Sequence, residues 1–201
     1  MKPGRTPEWK GAPREDPCGQ EGWFGGGESS PAEAEEQASS QAGTAPAVVR
    51  LIPMEPAELD PYLDRLVRSY SEDHIRAGRW SAKEGLDEAR KEVQRLLPGG
   101  LETPNHFLYT VVGGSPEAKV GVIWLALEPR GGFVYDLLIH PSFRRRGYAE
   151  EAMRLLEQVA KEKGARKLFL HVFADNLGAR NLYVKLGYVE TNVVMSKPLS
   201  A

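Results

Sequence analysis

The stretch FVYDLLI (Phe133 to Ile139), followed by His140 and Pro141 and then by RRRGYA (Arg144 to Ala149), decides how this chain folds. Its first seven residues form a short apolar run, rich in aromatic and branched side chains, that stops at a proline, which predicts a largely buried strand. Downstream, Ala149, Ala152, Met153, Leu156, Val159 and Ala160 recur at spacings of three and four. Glu and Lys fill the opposite face and Gly164 stands where a left-handed cap would end the run, so a helix is expected. The order is strand, basic turn, helix. A helix start leaves backbone N–H groups without partners and carries a partial positive charge, so small residues and arginines there make a seat for phosphate or pyrophosphate.

The turn lacks both the Gly-Lys-Ser/Thr ending of a nucleotide P-loop and the three spaced glycines of a dinucleotide fingerprint. Arg144-x-x-Gly147-x-Ala149, with the strand before it and NLGARNLYVKLGY (Asn176 to Tyr188) after it, resembles the GCN5-related N-acetyltransferase (GNAT) family. As an order of elements the likeness covers roughly residues 47 to 198, and it is motif-specific from Phe133 to Tyr188. It implies a GNAT-like acyl-CoA N-acyltransferase fold of the mixed α/β class. Such a fold has a twisted mixed central sheet of about six to seven strands, splayed between its fourth and fifth, flanked by about four helices.

The same resemblance implies acetyl-CoA as cosubstrate and assigns roles to individual residues. Backbone N–H groups of Arg145, Arg146, Gly147, Tyr148 and Ala149 would meet the pyrophosphate, with the guanidinium groups of Arg144 to Arg146 adding charge-assisted bonds. Leu137, Leu138 and Ile139 would lend main-chain groups to the pantetheine arm, lying like an added strand. Asn176 matches the asparagine that binds the pantetheine amide, and it also suits a helix N-cap. Tyr183 matches the tyrosine that protonates the leaving thiolate, and its spacing from Ala179 and Leu182 also suits a core tyrosine. Glu150 departs from the pattern: an acid in the first turn suits the helix dipole but must point away from a pyrophosphate.

Two residues compete to take the proton of the amine. His171 stands at a strand position where some members of the family place a glutamate base, and an imidazole suits the task. Asp136 is the other, and if the two face each other the carboxylate would raise and orient the imidazole. Alternation puts Asp136 on one strand face with Val134 and Leu138, opposite Leu137. His74, beside Glu72 and Asp73 between the first two helices, falls where the family builds its acceptor pocket, and two acids there would favour a cationic amine. The plainer reading is a polar helix end facing water.

Composition bounds the remaining possibilities. From Met1 to Pro46 there is no Val, Ile or Leu, and Gly, Pro, Ser and Glu abound. Such a segment cannot bury enough apolar surface to offset its conformational entropy, so a disordered extension over 1–46 and a single domain over 47–201 are expected. The extension carries 4 basic and 8 acidic side chains, leaving 22 basic against 20 acidic in the domain. Near-neutrality with one confined basic cluster argues against nucleic acid as a partner. Cys18, the only cysteine, lies in the extension, so no intramolecular disulfide, cysteine metal cluster or cysteine nucleophile is expected. His106 and His140 have no partners at ligand spacing, so metal catalysis is not expected. Without an apolar leader or long apolar run, a cytoplasmic protein with no membrane partner is expected.

Val48 to Ile52 is a first strand. A helix then uses Leu59, Leu63, Leu66, Val67 and Tyr70, and Ser81 with Glu84 makes a capping box for a second helix bearing Leu86, Ala89, Val93, Leu96 and Leu97. His106 to Val112 and Val120 to Leu127 form an antiparallel pair. Lys167 to Phe173 is a strand, a short helix ends at Gly187, and Tyr188 to Lys197 supplies a last strand or two. The function expected is transfer of the acetyl group of acetyl-CoA to a primary amine by direct attack, the acceptor being a small-molecule amine. Homodimers are common in the family, which makes a homodimer an implied assembly. The alternatives are a non-catalytic acyl-CoA-binding sensor, a protein N-terminal or lysine acetyltransferase, and an RNA-binding domain built on the arginine turn.

Overall fold

In the computed structural model the described residues are 48–195 and Lys197, so the expected extension and Cys18 lie outside them. Five strands form one sheet in sequence order: β1 (Val49–Pro53), β2 (His106–Gly113), β3 (Ala118–Glu128), β4 (Gly131–Ile139) and β5 (Leu168–Leu170). The first four pair antiparallel and β5 runs parallel to β4, which makes the sheet mixed. Four helices, α1 (Pro56–Arg76), α2 (Gly85–Leu96), α3 (Tyr148–Glu162) and α4 (Leu177–Lys185), accompany it. The strands number five among the described residues rather than six to seven, because 188–195 takes no regular structure there and β5 is three residues long.

Each face of the sheet builds its own core. On one, Val111, Ile123, Leu125 and Val134 meet Ala152, Met153 and Leu156 of α3. On the other, Leu108, Val122 and Trp124 meet Tyr62, Leu66 and Val67 of α1 and Ala89 and Val93 of α2. Strand β3 feeds both layers from alternate residues, as a central strand covered on two sides must. The Gly164 stop is present: the N–H of Ala165 reaches the Ala160 carbonyl at 2.9 Å. The Ser81–Glu84 pair forms at 2.7 Å, one turn ahead of α2 rather than at its first residue.

β4 departs from plain alternation. Trp124 stands opposite Asp136 and Leu125 opposite Val134, so Tyr135 is an extra residue, a β-bulge. The bulge turns Tyr135 and Asp136 to the same face, that of α1 and α2, where Tyr135 packs beside Trp124 with ring centroids 4.7 Å apart. The sequence expectation is corrected here: Asp136 keeps company with Leu138 and lies opposite both Val134 and Leu137. On its other edge β4 pairs with β5 only from Gly132 to Val134, and the sheet opens beyond that point.

Candidate active site

Two backbone features shape the turn where an anion seat is expected. A 3-10 turn over Pro141–Phe143 leads out of β4, and Arg144 Nε donates to the Ile139 carbonyl at 3.0 Å, folding the turn back onto the strand end. Arg145 then takes φ +62° and Gly147 φ +82°. Glu151 is the first residue to donate into the helix, its N–H reaching the Gly147 carbonyl at 3.1 Å. Among the described residues, the amides of Arg145 through Glu150 therefore have no protein acceptor. Two left-handed residues so close together curl successive amides toward a common centre, an arrangement suited to phosphate. Glycine adopts this backbone freely at 147, whereas Arg145 does so at a cost of about 1 kcal/mol.

The side chains around the seat divide their work. Arg146 lies over the Phe143 ring, 5.7 Å from its centroid. The Tyr148 ring is buried against Gly113 and Gly114, so that residue has only its amide to offer the seat. Glu150 is engaged sideways, by Lys185 at 2.7 Å and Arg154 at 3.1 Å, and these bonds lower its pKa. A diphosphate fits this set of donors.

From the seat the open edge of β4, Tyr135 to Ile139, runs back toward the bulge. There Asp136, with 19% of its side chain exposed, bonds Arg65 at 2.8 Å. Burial raises the Asp136 pKa, against the opposing pull of that guanidinium. The Tyr62 hydroxyl lies close enough to feel the carboxylate, yet it is buried outside standard hydrogen-bond geometry. On α4, Tyr183 packs against the α3 side of the core, its ring 5.8 Å from that of Tyr188. Gly187, at φ +89°, closes a Schellman turn in which the Tyr188 N–H reaches the Tyr183 carbonyl at 2.9 Å. That turn fixes the two tyrosines relative to each other. Burial, and then the charge of Asp136, push the Tyr183 phenol up to about 12.

Three expectations are corrected by these positions. Asp136 is held by Arg65, and His171 instead meets Phe173 edge-on at 5.4 Å, so the two proposed bases do not form a pair. The His171 pKa falls below its ordinary value, through desolvation and the Arg79 guanidinium, where an Asp136 partner would have raised it. His74 lies within α1 rather than between helices. It is 7% exposed, stacked on Trp80 at 4.1 Å and beside Tyr70 at 4.3 Å, with its Nδ1 lacking a partner. Burial drops its pKa to about 4, and the water-facing reading does not fit. Asp73 is bonded to Arg76. Asn176 caps α4, its Oδ1 accepting from the Ala179 N–H at 3.2 Å.

Arg65 and Tyr62 escaped the sequence reading. Nothing in a helical pattern says that one arginine on the polar face will find a strand carboxylate, because the bulge that turns the carboxylate is a property of pairing. Beside Arg65 an open groove runs along α1, lined by Arg65, Arg68, Ser69 and Glu72.

The chain matches known proteins over this same region. A sequence model of the Acetyltransferase (GNAT) family matches residues 63–188. The uncharacterised N-acetyltransferase YycN of Bacillus subtilis is 39% identical over 155 residues, 75% of this chain and 99% of that protein. YdgE, an uncharacterised N-acetyltransferase of the same organism, is 32% identical over 146 residues, 71% of this chain and 92% of its own length. The crystal structure of YycN superposes with a TM-score of 0.73 at 38% identity, covering 77% of this chain and 100% of that one.

Proposed function

This chain belongs to the GNAT acetyltransferase family and is an acyl-CoA-dependent acetyltransferase, and from that premise we propose that it acetylates a small-molecule primary amine by direct attack. The observation that carries the reading is the juxtaposition of six acceptor-free amides with a strand edge left open beyond Val134. Acetyl-CoA supplies the activated acyl group. Arg145 to Ala149 hold its diphosphate through their amides, with Arg144 to Arg146 supplying positive charge, and Leu137 to Ile139 offer main-chain groups to the pantetheine arm.

Asp136 is the base in this reading. Its desolvated carboxylate stands at the open edge, while His171 lies away in an aromatic cluster and is made less basic by desolvation and by Arg79. Tyr183 is the proton donor. A phenol near 12 stays protonated at neutral pH, and passing its proton to a thiolate of ordinary pKa, about 8.5, would run uphill by about 3.5 pH units. It acts first as a hydrogen-bond donor to the growing charge, and full transfer follows as the thiolate is itself desolvated. Neutralising Asp136 with the amine proton leaves burial, the larger cause, in place but removes the charge that adds to it at Tyr183, which eases the second transfer once the first is done. Residues 47–201 contain no cysteine, which favours direct attack over a thioester-linked enzyme.

The test is calorimetric titration of CoA followed by release of free thiol from acetyl-CoA over a panel of amines. Heat of binding with amine-dependent thiol release is expected. Binding without release above the Tyr183→Phe background would make the protein a sensor, and no heat at millimolar CoA would end the reading.

A further inference from the structure

Arg65, then Arg68 with Ser69, then Glu72 and Arg76 recur at spacings of three and four and so share one face of α1. Both ends of this stripe are pinned across the mouth of the sheet. Arg65 bonds Asp136 on β4, and Arg76 Nε bonds Asp175 at 2.8 Å, just ahead of α4. The stripe therefore spans the gap where β4 and the chain leaving β5 part, and any acceptor arriving from the α1 side must cross it.

Its unspent donors and acceptors define what fits. Arg68 spends only Nε, on the Asp64 carbonyl at 3.1 Å, and no carboxylate among the described residues stands within 4.0 Å of it. Arg65 gives one N–H to Asp136 and keeps the rest. Glu72 is the lone acid of the groove, since Asp73 is bonded to Arg76. Two guanidinium groups one helical turn apart repel a polyamine and suit a carboxylate, which takes forked N–H donors. Asp136, at the Arg65 end, suits the amine.

We propose that the acceptor carries a carboxylate next to its amine, an amino-acid-type substrate, and that the Arg68 guanidinium, helped by Arg65, binds that carboxylate. This assignment rests on the acetyltransferase reading above and refines the cationic amine suggested by Glu72 and Asp73 in the sequence. Glu72, one turn beyond Arg68, then favours an acceptor whose remaining substituent donates hydrogen bonds.

The test compares matched compounds: free α-amino acids, their carboxamides, and the corresponding decarboxylated amines, each titrated calorimetrically into protein loaded with CoA and each assayed for thiol release. The carboxylated member of each set is expected to bind roughly tenfold to a hundredfold more tightly, and Arg68→Gln is expected to collapse that preference by raising KM rather than lowering kcat. Arg68→Lys restores part of it. Equal binding of acid and amide, a preference for polyamines, or an Arg68→Gln variant that keeps the preference overturns the proposal. So does the absence of any heat from the carboxylated amines. The acetyltransferase reading fails separately, by an absence of CoA binding, in which case the same titrations run on the unloaded protein still decide whether the groove takes amino carboxylates.

Discussion

From Gly132 to Val134, β4 is hydrogen-bonded on both edges, to β3 and to β5, whereas from Tyr135 to Ile139 it keeps β3 alone. The closed half faces Leu125, which is fully buried, and Gly132 itself is packed against Leu168. The open half carries the bulge, the Asp136 carboxylate and the carbonyl to which Arg144 returns. Unpaired backbone groups are costly unless something satisfies them, so a sheet that stops zipping halfway along a strand leaves a place for an extended ligand with amides of its own. The closed half is built for packing, and the proposed chemistry falls in the other.

Core truncation separates the two halves most sharply. Leu125→Ala, opposite Val134 in the closed half and at 0% exposure, is expected to cost about 3 kcal/mol in chemical denaturation, against about 1 kcal/mol for Leu138→Ala, partly exposed in the open half. Equal losses would break the comparison. A titration of stability reaches the flank beyond β5, where His74 meets Phe173 at 5.6 Å. The folded pKa of His74, about 4, lies below its unfolded value near 6.5, so the unfolded chain binds the proton first as the pH falls through that window. Unfolding free energy is expected to drop by up to about 3 kcal/mol between pH 6.5 and 4, and His74→Phe should flatten that slope.

Tyr183→Phe tests whether the open half works through chemistry rather than packing. Its kcat is expected to fall about 100-fold with CoA affinity and melting temperature nearly unchanged, because among the described residues the hydroxyl makes no hydrogen bond. A parallel loss of CoA binding would instead make Tyr183 part of the seat. The smallest effect is at the α4 cap: Asn176→Ala removes the bond to Ala179 and should cost about 1 kcal/mol. A much larger loss of CoA affinity than of stability would add cofactor binding to that capping.

Local signals in the sequence reached the parts of the site that are local in space. Gly147 before an amphipathic run, Gly164 and Gly187 after such runs, and the proline ending β4 are each read from their own few neighbours, and each stands where the pattern put it. What escaped is what depends on pairing across the sheet. Alternation could not reveal that Tyr135 is skipped, and one skipped residue carries Asp136 away from Val134's face and over to Arg65. His74 misled for a related reason: flanked by Glu72 and Asp73 it looks solvated, yet its position on α1 turns it under Trp80 while its neighbours stay outside.

Gly121 stands opposite Ile139, and a β-carbon placed there would overlap the Leu138 carbonyl oxygen. Any side chain at this position would thrust β4 outward at the level where the thioester arm is proposed to lie. The bore of that passage is thus gauged from behind, by a residue that need never touch what passes through it.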